Sequence, residues 1–504
     1  MPVLSDLIEK GVSVQHHAPW PRPVVDPAVW ASATLELAKG RLTLLGLWGE
    51  KHAVHMALLD ESAGSIAVIS LEGLADGYPS VARHHPPALR LERAIRDLTG
   101  LEPQDLPDIR PWLDHGRWDL RHPLGKQAAT LAEPEPYTFL RAEGDGLHQI
   151  PVGPVHAGII EPGHFRITAN GETVVRLEER LGYVHKGIEA LMVGRDLLRG
   201  AQLAGRTSGD STVAYAYAFA QAAEAAAGLV VPPRAVWLRA LMAELERLAN
   251  HLGDIGAICN DAAFPLMLAH CGVLRERVLR ASDTAFGHRL MRDRILPGGV
   301  AVNLGDDGRA ILKALLDEIH RKLPALVELY DNTASLQDRM VGTGRLQGEL
   351  ARQYGAGGYV GRASGRGFDA RAALRYPPYD QLSFEVPVLN EGDVNARVWV
   401  RIREVEQSLS LMGQILDRLP DGPIVRDIPF INESREGMAL VEGFRGDVLV
   451  WLRLTREGGI ERSHLRDPSW FQWPLLEAAI EGNIVADFPL CNKSFNCSYS
   501  GHDL

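Results

Sequence analysis

The sequence predicts an α+β protein, with a small α/β N-terminal domain followed by a helical bundle and flanking β-hairpins. Hydrophobic alternation indicates strands within the first 125 residues, and long helical patterns follow from residue 186. The strand-like stretches are 41–50, 52–61 and 65–73. A chain of 504 residues is too long to fold around a single hydrophobic core, so we expect more than one domain.

A helix and a polar linker end the N-terminal domain. The stretch 88–99, "ALRLERAIRDLT", has apolar residues at helical spacing and stops at Gly100. The Pro-containing "LAEPEPY" (131–137) is typical of a linker. The predicted units are a domain over 1–125, a linker over 126–149 and a domain over 150–504.

The second domain opens with a hairpin and continues as helices. Asn170-Gly171 between two apolar runs is a strong hairpin signal. Five helical stretches long enough for a bundle follow, at 186–203, 208–228, 233–259, 262–291 and 306–340. Towards the end we predict a helix at 396–418, a second hairpin at 442–454 and a final helix at 470–482.

Composition argues against several classes of function. The formal net charge of −11 and the pI near 5.9 argue against a nucleic-acid binder, whose surface would be basic. Asp6 and Glu9 stand where a signal peptide would be basic and apolar, which argues against export. The alanine-rich stretch 214–231 carries Gln221 and Glu224, so a buried helix is favoured over a membrane span.

The cysteines indicate a reducing compartment, because four are too few for a disulfide framework. No pair of them has Cys-x-x-Cys spacing, and inert packing is favoured for Cys259 and Cys271. Cys491 and Cys497 lie in the C-terminal stretch "CNKSFNCSYSGHDL", which also holds a histidine and an aspartate. A loose polar terminus is the ordinary interpretation of such a stretch.

Two further polar stretches invite a functional interpretation. In "RTSGDS" (206–211) two serines have Cys-x-x-Cys spacing. A serine hydroxyl does not ionise near neutral pH as a metal-binding thiol does. A capping role for Ser208 at a helix start is therefore favoured over metal binding. In "MAELERLANHLGDIGA" one helix side carries Glu244, Arg247 and His251. A solvated charged face and a polar cluster buried in the bundle both remain open.

Motifs spread over residues 150–504 resemble one known family. They are "GPVHAGIIEPGHFRI", "ERLGYVHKGIE", "AELERLANHLGDIG", "GHRLMRDRILPGGVA", "ASGRGFDAR", "GDVNARVWVRIREVEQSL", "EGFRGD" and the tail. In this order they resemble the large subunit of group 4, energy-converting nickel–iron hydrogenases and the related 49-kDa-type subunit of respiratory complex I. The stretch "LRLERAIRDLTGLEPQDLPDIRPWL" resembles the 30-kDa-type subunit of the same complexes, so the chain resembles a fusion of the two.

The resemblance implies where a metal site would lie. The family's Arg-x-Cys-Gly-x-Cys motif falls on residues 206–211, which puts Ser208 and Ser211 at the two ligand positions. Its C-terminal Asp-Pro-Cys-x-x-Cys motif puts Ser498 and Gly501 at the other two. The nickel–iron centre needs four thiolates, so no metal is expected and direct hydrogen chemistry is disfavoured.

The resemblance also implies where quinone would bind. In the complex I relative, quinone lies near a histidine of the first hairpin and a tyrosine just after the arginine that matches Arg206. His164 is the candidate for that histidine, with His156 as the alternative. The tyrosine position falls on Gly209, so that quinone hydrogen bond would be missing.

We interpret these matches as a polar pocket in a metal-free, hydrogenase-related subunit. The pocket residues implied by the resemblance are Ser208, Gly209, Ser211, Ser498, Gly501, His502 and Asp503. The catalytic candidates are His164, Glu161, Arg206, Asp210 and His185, with Glu161 or His185 on a proton path. The pocket would bind a quinone-like or other small redox partner, or transmit conformational change to a membrane arm.

The implied function is that of a peripheral-arm subunit of a membrane-bound, complex-I-like oxidoreductase at the cytoplasmic face of the inner membrane. No cofactor is expected on this chain, since electrons would come from iron–sulfur clusters in a small partner subunit. Antiporter-like and quinone-site-type membrane subunits are the other expected partners, and nucleic acid is not. A structural adaptor and a formate-hydrogenlyase-type hydrogenase large subunit are the alternatives, and whether the chain is itself an enzyme stays open.

Overall fold

The N-terminal part is built on a five-stranded sheet. The computed structural model describes residues 3–125, 128–129 and 136–504, with the backbone alone at 128–129. The first strands are β1 Val12–Ser13, β2 His17–Ala18, β3 Pro23–Val24, β4 Thr43–Glu50, β5 Ala53–Asp60, β6 Ser65–Glu72, β7 Gly77–Pro79, β8 Glu102–Gln104, β9 Leu120–Arg121 and β10 Ala128–Ala129. The first helices are α1 Val3–Glu9, α2 Pro27–Ala38 and α3 Leu89–Thr99.

Local patterns account for the centre of this part. The sheet order is β1-β3-β6-β5-β4, and the antiparallel strands β4, β5 and β6 confirm the three predicted strands. The helix α3 confirms the prediction at 88–99, and Gly100 ends it at a φ of 79° in the left-handed conformation. A Cβ on Gly49 of β4 would lie 2.8 Å from Ile95, so α3 packs closely on the sheet.

A helical bundle and three further sheets, one of them with only two short strands, make up the rest of the described chain. The later strands are β11 Leu147–Val152, β12 His164–Asn170, β13 Thr173–Arg180, β14 Ile295–Leu296, β15 Gly299–Val300, β16 Arg435–Gly443, β17 Gly446–Leu454 and β18 Ile460–Arg466. The bundle helices are α4 Ile188–Met192, α5 Leu197–Ala204, α6 Thr212–Ala227, α7 Pro233–Asp261, α8 Pro265–Phe286, α9 Asp306–Asn332, α10 Ala334–Met340 and α14 Val394–Arg418. Short helices lie before α14 and after β18: α11 Gly348–Gln353, α12 Gly358–Ala363, α13 Ala370–Ala373, α15 Ser469–Ala479, α16 Phe488–Phe495 and α17 Tyr499–Asp503.

The long helix α7 is the centre of the bundle. It packs against α8 and α14, while α6 packs on β16 and β17. Nearly every residue of α6 is buried, which confirms the preference for a buried helix in the alanine-rich stretch. Within the part of the chain that the structure describes, no helix has both the length and the apolar character needed to cross a bilayer.

The N-terminal and C-terminal parts are packed together rather than apart. The short strand β2 pairs in parallel with β16, with His17 opposite Glu436. The rings of Trp48 and Trp451 lie 5.6 Å apart between their two sheets. One hydrophobic core contains Ile95 of the N-terminal part together with residues of β12, β13 and the tail. This packing holds the segment after β13 against α3.

Several predicted boundaries are wrong, each for a local reason. The helix predicted at 186–203 is two helices, because Gly194 takes a φ of 74° and Asp196 caps α5 by accepting from the Arg199 amide. Gly287, at a φ of 72°, ends α8 well before residue 291. The helix at 306–340 breaks at Thr333.

The second hairpin and the linker also differ from the prediction. The hairpin turns at Phe444-Arg445, with β16 before it and β17 after it, and β18 adds a third strand that the sequence pattern did not predict. The strand β11 begins inside the range predicted as linker. Residues 131–135 of the predicted linker motif lie outside the described residues.

Candidate functional site

The loop before α6 meets the C-terminal tail. Ser208 lies in the loop between α5 and α6, and Ser498 precedes α17, where its hydroxyl accepts from the Gly501 amide at 2.9 Å. The hydroxyl oxygens of Ser208 and Ser498 lie 2.9 Å apart and are hydrogen-bonded. Two positions that the family resemblance pairs are therefore in contact.

Ser208 does not cap the helix, so that prediction is wrong. Its hydroxyl donates to Asp210 Oδ1 at 2.8 Å. Glu246 of α7 takes the capping role, because its carboxylate accepts from the amides of Val213 and Ala214 at 2.7 and 3.0 Å. The Ser208 side chain belongs to the contact with the tail.

Arg445, in the turn between β16 and β17, holds Asp210 in place. Its two terminal nitrogens donate to the two carboxylate oxygens of Asp210 at 2.8 and 2.5 Å, and its Nε donates to the Asn496 carbonyl at 2.5 Å. Burial by itself raises the pKa of Asp210, but the charge and hydrogen bonds of Arg445 outweigh it and lower this pKa to about 2. Ser211 also donates to Asp210, at 3.2 Å. Arg445 thus joins the loop to the tail through a charged pair.

The tail is buried rather than loose, which corrects the ordinary interpretation. His502 and Asp503 have no exposed surface, and His502 Nδ1 lies 2.8 Å from Asp503 Oδ1. Trp112 donates to His502 Nε2 at 3.2 Å, and burial lowers the pKa of His502, so the ring is neutral. Asp503 accepts from the amides of Gly182 and Val184. His502 thus anchors the tail to the N-terminal part, and Asp503 anchors it to the segment after β13.

Gly501, at the fourth ligand position, has no room for a side chain. A Cβ there would lie 2.4 Å from Asp467 Oδ2. Asp467 is itself fixed, because the Tyr215 hydroxyl and the Ser469 amide donate to it at 2.7 and 2.8 Å. The Asp467 carboxylate therefore closes this position.

Replacing Gly501 with alanine is expected to lower the free energy of unfolding by about 1–3 kcal/mol, because the added methyl group has no space. Gly209→Ala is the matched control, since a Cβ at Gly209 would meet no atom within 4 Å. The control should change stability by less than about 0.5 kcal/mol. Chemical denaturation of the two variants checks this, and equal losses would contradict the closed position.

Four predicted site residues surround one cavity of about 430 Å³. Its walls are formed by Glu161, Val184, His185, Lys186, Arg206, Thr207, Gly209 and Ser500. The cavity lies beside Gly209, where the resemblance to the complex I subunit implies a tyrosine. Thr207 has no exposed surface, yet its Oγ1 has no hydrogen-bond partner among residues 3–125 and 136–504. A buried hydroxyl without a partner costs roughly 1–3 kcal/mol.

The polar groups of this cavity are held in defined positions. Glu161 Oε2 accepts from the Ser500 amide at 3.0 Å. His185 Nδ1 donates to the Asp503 carbonyl at 2.7 Å, and burial lowers the pKa of His185, so its Nε2 is left as an acceptor. Arg206 is half-exposed and pairs with both carboxylate oxygens of Asp293 at 2.7 and 2.8 Å.

The structure does not bring His164 to this cavity. His164 begins β12, where its Nδ1 lies 3.2 Å from the Gly153 carbonyl and Arg166 donates to its Nε2 at 3.3 Å. The alternative, His156, lies against the tail, with its Nε2 3.3 Å from the Tyr499 hydroxyl. His156 is therefore the hairpin histidine that contacts a site segment.

Asp210 lines a second, smaller cavity of about 140 Å³ that shares Gly209 with the first. Glu246 and Asn250 also line it, and burial raises the pKa of Glu246 to about 8. Asn250 donates to the Asp210 carbonyl at 2.8 Å. Two carboxyl groups with well-separated pKa values thus lie on one side of the Ser208 loop.

The polar stretch of α7 forms a buried ionic cluster. This confirms the predicted polar cluster inside the bundle and excludes the alternative of a solvated charged face. Glu244, Arg247 and His251 are at most 1% exposed. Arg371 donates to Glu244 at 2.8 Å, and His251 lies 2.7 Å from Glu404. These groups are paired inside the bundle, as buried charges must be.

None of the four cysteines stands at one of the ligand positions that the resemblance implies. All four are buried, which agrees with packing roles for Cys259 and Cys271. Burial raises the pKa of Cys491 to about 11 and that of Cys497 well above its usual range. In the described part of the chain, no group of three or more His, Cys, Asp or Glu side chains is arranged to hold a metal ion.

Sequence reasoning missed three residues of the site. Arg445 stands within the quoted motif "EGFRGD", and Thr207 stands within "RTSGDS", so both were in view without a role. Asp467 follows β18 and belongs to no motif, so only the fold reveals that it faces Gly501.

Comparison with known proteins identifies relatives over most of the chain. The family model described as respiratory-chain NADH dehydrogenase, 49 Kd subunit, matches residues 263–438, and the one for the 30 Kd subunit matches residues 46–134. Formate hydrogenlyase subunit 5 of Escherichia coli (strain K12) is 33% identical over 436 residues, covering 84% of this chain and 77% of the relative.

Two further similarities are to a hydrogenase and to a chain of a solved respiratory complex. The carbon monoxide-induced hydrogenase of Rhodospirillum rubrum is 32% identical over 354 residues, covering 69% of this chain and 97% of the relative. A chain from the structure of the membrane-bound sulfane sulfur reductase, an archaeal respiratory membrane complex, aligns with a TM-score of 0.68 and 27% identity over 72% of this chain and all of that chain. The chain belongs to the family of complex I 49-kDa-type and energy-converting hydrogenase large subunits, with a 30-kDa-type domain fused ahead of it.

Proposed function

We propose that this chain is a peripheral-arm subunit of a membrane-bound, complex-I-like oxidoreductase, and that its 430 Å³ cavity binds a small quinone-like redox partner. The polar wall of this cavity is the observation that carries the proposal, because it gathers Glu161, His185 and Arg206 next to Gly209. The missing side chain of Gly209 leaves open space there. The Arg206 guanidinium supplies N–H donors for a quinone carbonyl oxygen.

The nickel–iron centre of the hydrogenase relatives does not fit these residues. Ser208 and Ser498 are hydrogen-bonded to each other, and a serine hydroxyl does not ionise as a ligand thiol does. Gly501 offers no ligand atom, and Asp467 occupies the space where one would stand. We therefore assign the chain to a branch of the family without nickel–iron ligands.

Electrons must then arrive from another subunit. The buried, protonated cysteines of this chain suit no cluster, so we assign the iron–sulfur clusters to a small partner subunit. The loop 153–163 beside the cavity exposes Val155 and Ile159, the latter at 93%. Exposed apolar side chains of this kind suit an interface with partner subunits, including antiporter-like and quinone-site-type membrane subunits at the cytoplasmic face.

Side chains on the cavity wall can deliver protons to a bound quinone. Reduction of a quinone takes up two electrons and two protons. Glu161 and His185 line the cavity and can pass protons to it, and Asp210 stands behind Gly209 as a fixed charge. This division of roles follows from their positions and from the pKa of Asp210, lowered to about 2, which keeps it ionised.

The experiment uses the purified membrane complex, with reduced methyl viologen as electron donor and a short-chain quinone as acceptor. Arg206→Met should raise the KM for quinone about three- to tenfold, the worth of one hydrogen bond. Glu161→Gln should lower turnover at least tenfold while the complex still assembles. Thr284→Val, on an exposed helix surface, is the control and should change neither value. Unchanged kinetics in both site variants of an assembled complex would favour the adaptor function.

A further inference from the structure

His185 lines the 430 Å³ cavity, the proposed redox cavity, and two contacts from different parts of the chain hold its ring. Its Nδ1 donates to the Asp503 carbonyl of the tail at 2.7 Å. Its imidazole stacks on the indole of Trp118, with 4.7 Å between the ring centroids and 28° between the ring planes. Trp118 belongs to the N-terminal part. The hydrogen bond fixes which edge of the imidazole meets the tail, and the stack fixes the plane of the ring.

This stack is one of a row of contacts between the segment 112–118 of the N-terminal part and the segment 180–185. The others are a hydrogen bond from Arg180 to the Trp112 carbonyl, one of 2.7 Å from His115 Nε2 to the Leu181 carbonyl, and an edge-to-face contact of 4.6 Å between the rings of His115 and Tyr183. A Cβ on Gly182 would lie 2.8 Å from His115 Nε2, so the two segments approach closely. The N-terminal part therefore holds the backbone that carries His185 as well as its ring.

Trp118 is itself held by apolar neighbours. It packs against the hydrophobic core that contains Ile95, and it lines a largely apolar cavity of about 280 Å³ together with Leu98 of α3 and Leu124. His185 borders this apolar cavity and the proposed redox cavity. Trp118 thus supports His185 from the apolar side.

We infer that Trp118 is a positioning residue for the proposed redox cavity: through this indole, the N-terminal part fixes the orientation in which His185 passes a proton to a bound quinone. The inference rests on the proposed function of that cavity. Proton transfer needs the donor within hydrogen-bond reach of the accepting atom, at roughly 2.6–3.2 Å. An imidazole that turns freely meets this condition for only part of the time. Loss of the stack therefore slows proton transfer rather than weakening the binding of quinone.

Turnover of the assembled complex gives the first test. Trp118→Ala should lower kcat about tenfold and change the KM for quinone by less than about twofold. Trp118→Leu keeps an apolar side chain without a flat ring, and it should show the same loss if the alanine variant does not fold. Trp118→Phe keeps a ring for the stack, so its kcat should stay within about twofold of the original. Trp399→Ala is the matched control, because Trp399 is also half-buried but packs on Tyr330 of α9, and it should change neither value.

A double variant separates positioning from packing. In the His185→Gln background, Trp118→Ala should change kcat by less than about twofold, because the two changes remove the same contribution. A further tenfold loss in that background would overturn positioning through His185. Full turnover of His185→Gln alone would contradict the proton role of His185 in the proposed function, and this inference with it.

Chemical labelling tests the stack without any turnover. Diethyl pyrocarbonate acylates neutral imidazole, and mass spectrometry of the digested full chain measures the labelling rate of each histidine. Trp118→Ala should raise the rate at His185 about threefold or more, because the ring loses its cover and turns more freely. Trp118→Phe should not raise it, and the fully buried His251 should stay unlabelled in both variants. An unchanged rate at His185 in the folded alanine or leucine variant would overturn the role of Trp118 and leave the proposed function standing.

Discussion

Replacing Arg362 with methionine is expected to lower the free energy of unfolding by about 3–5 kcal/mol, the largest effect of a single change in this chain. Arg362 is fully buried. Its terminal nitrogens lie 2.6 Å from Glu404, 2.9 Å from Glu442 and 3.5 Å from Asp369. Without the guanidinium, three buried carboxyl groups lose their shared counter-charge.

The loss should depend on pH in a defined direction. Unpaired buried carboxyls have raised pKa values, and a group whose folded pKa is raised loses its stabilising proton as pH increases. The deficit of Arg362→Met should therefore be larger at pH 8 than at pH 5. Chemical denaturation at both pH values measures it, with the exposed Arg403→Met as control. A deficit below about 1 kcal/mol at pH 8 would show that the cluster is not held by Arg362.

Replacing Arg445 with methionine is expected to lower turnover of the assembled complex at least tenfold. Arg445 is the residue that joins Asp210 in the loop to Asn496 in the tail. Its removal loosens the junction between the two halves of the site, which then depends on the Ser208–Ser498 hydrogen bond. Because Asp210 is partly exposed, we expect the stability cost to be only about 1–3 kcal/mol.

The control for this prediction is Arg456→Met. Arg456 lies in the exposed turn after β17 and pairs with Glu457 at the surface. It should leave turnover and stability unchanged. Full turnover of Arg445→Met in an assembled complex would mean that the junction of loop and tail has no part in catalysis.

Elements that depend on a local sequence pattern were the best predicted. The strands β4 to β6 are short apolar runs bounded by turns, and α3 has both a helical period and a glycine stop, so each could be recognised within about ten residues. The strand β2 contains two residues and forms only by pairing with β16, more than four hundred residues away. A pattern search along the chain cannot detect such a strand.

The candidate site was predicted in part, and through resemblance rather than pattern. Local reasoning made Ser208 a helix cap, whereas the family motifs paired it with Ser498, as the fold does. The helical period of α7 could not separate a solvated face from a buried ionic cluster, because both have the same spacing. Asp467 became visible only once the chain was folded, and so did the role of Arg445, although its motif had been noted.

Nickel content of the purified membrane complex tests the central claim most directly. The claim is that this family member works without a nickel–iron centre, because its four ligand positions hold three serines, two of them hydrogen-bonded to each other, and a closed glycine. Elemental analysis of the intact complex, purified from cells grown with added nickel, should find iron from the partner clusters and far less than one nickel per chain. One nickel atom for each copy of this chain would contradict the account.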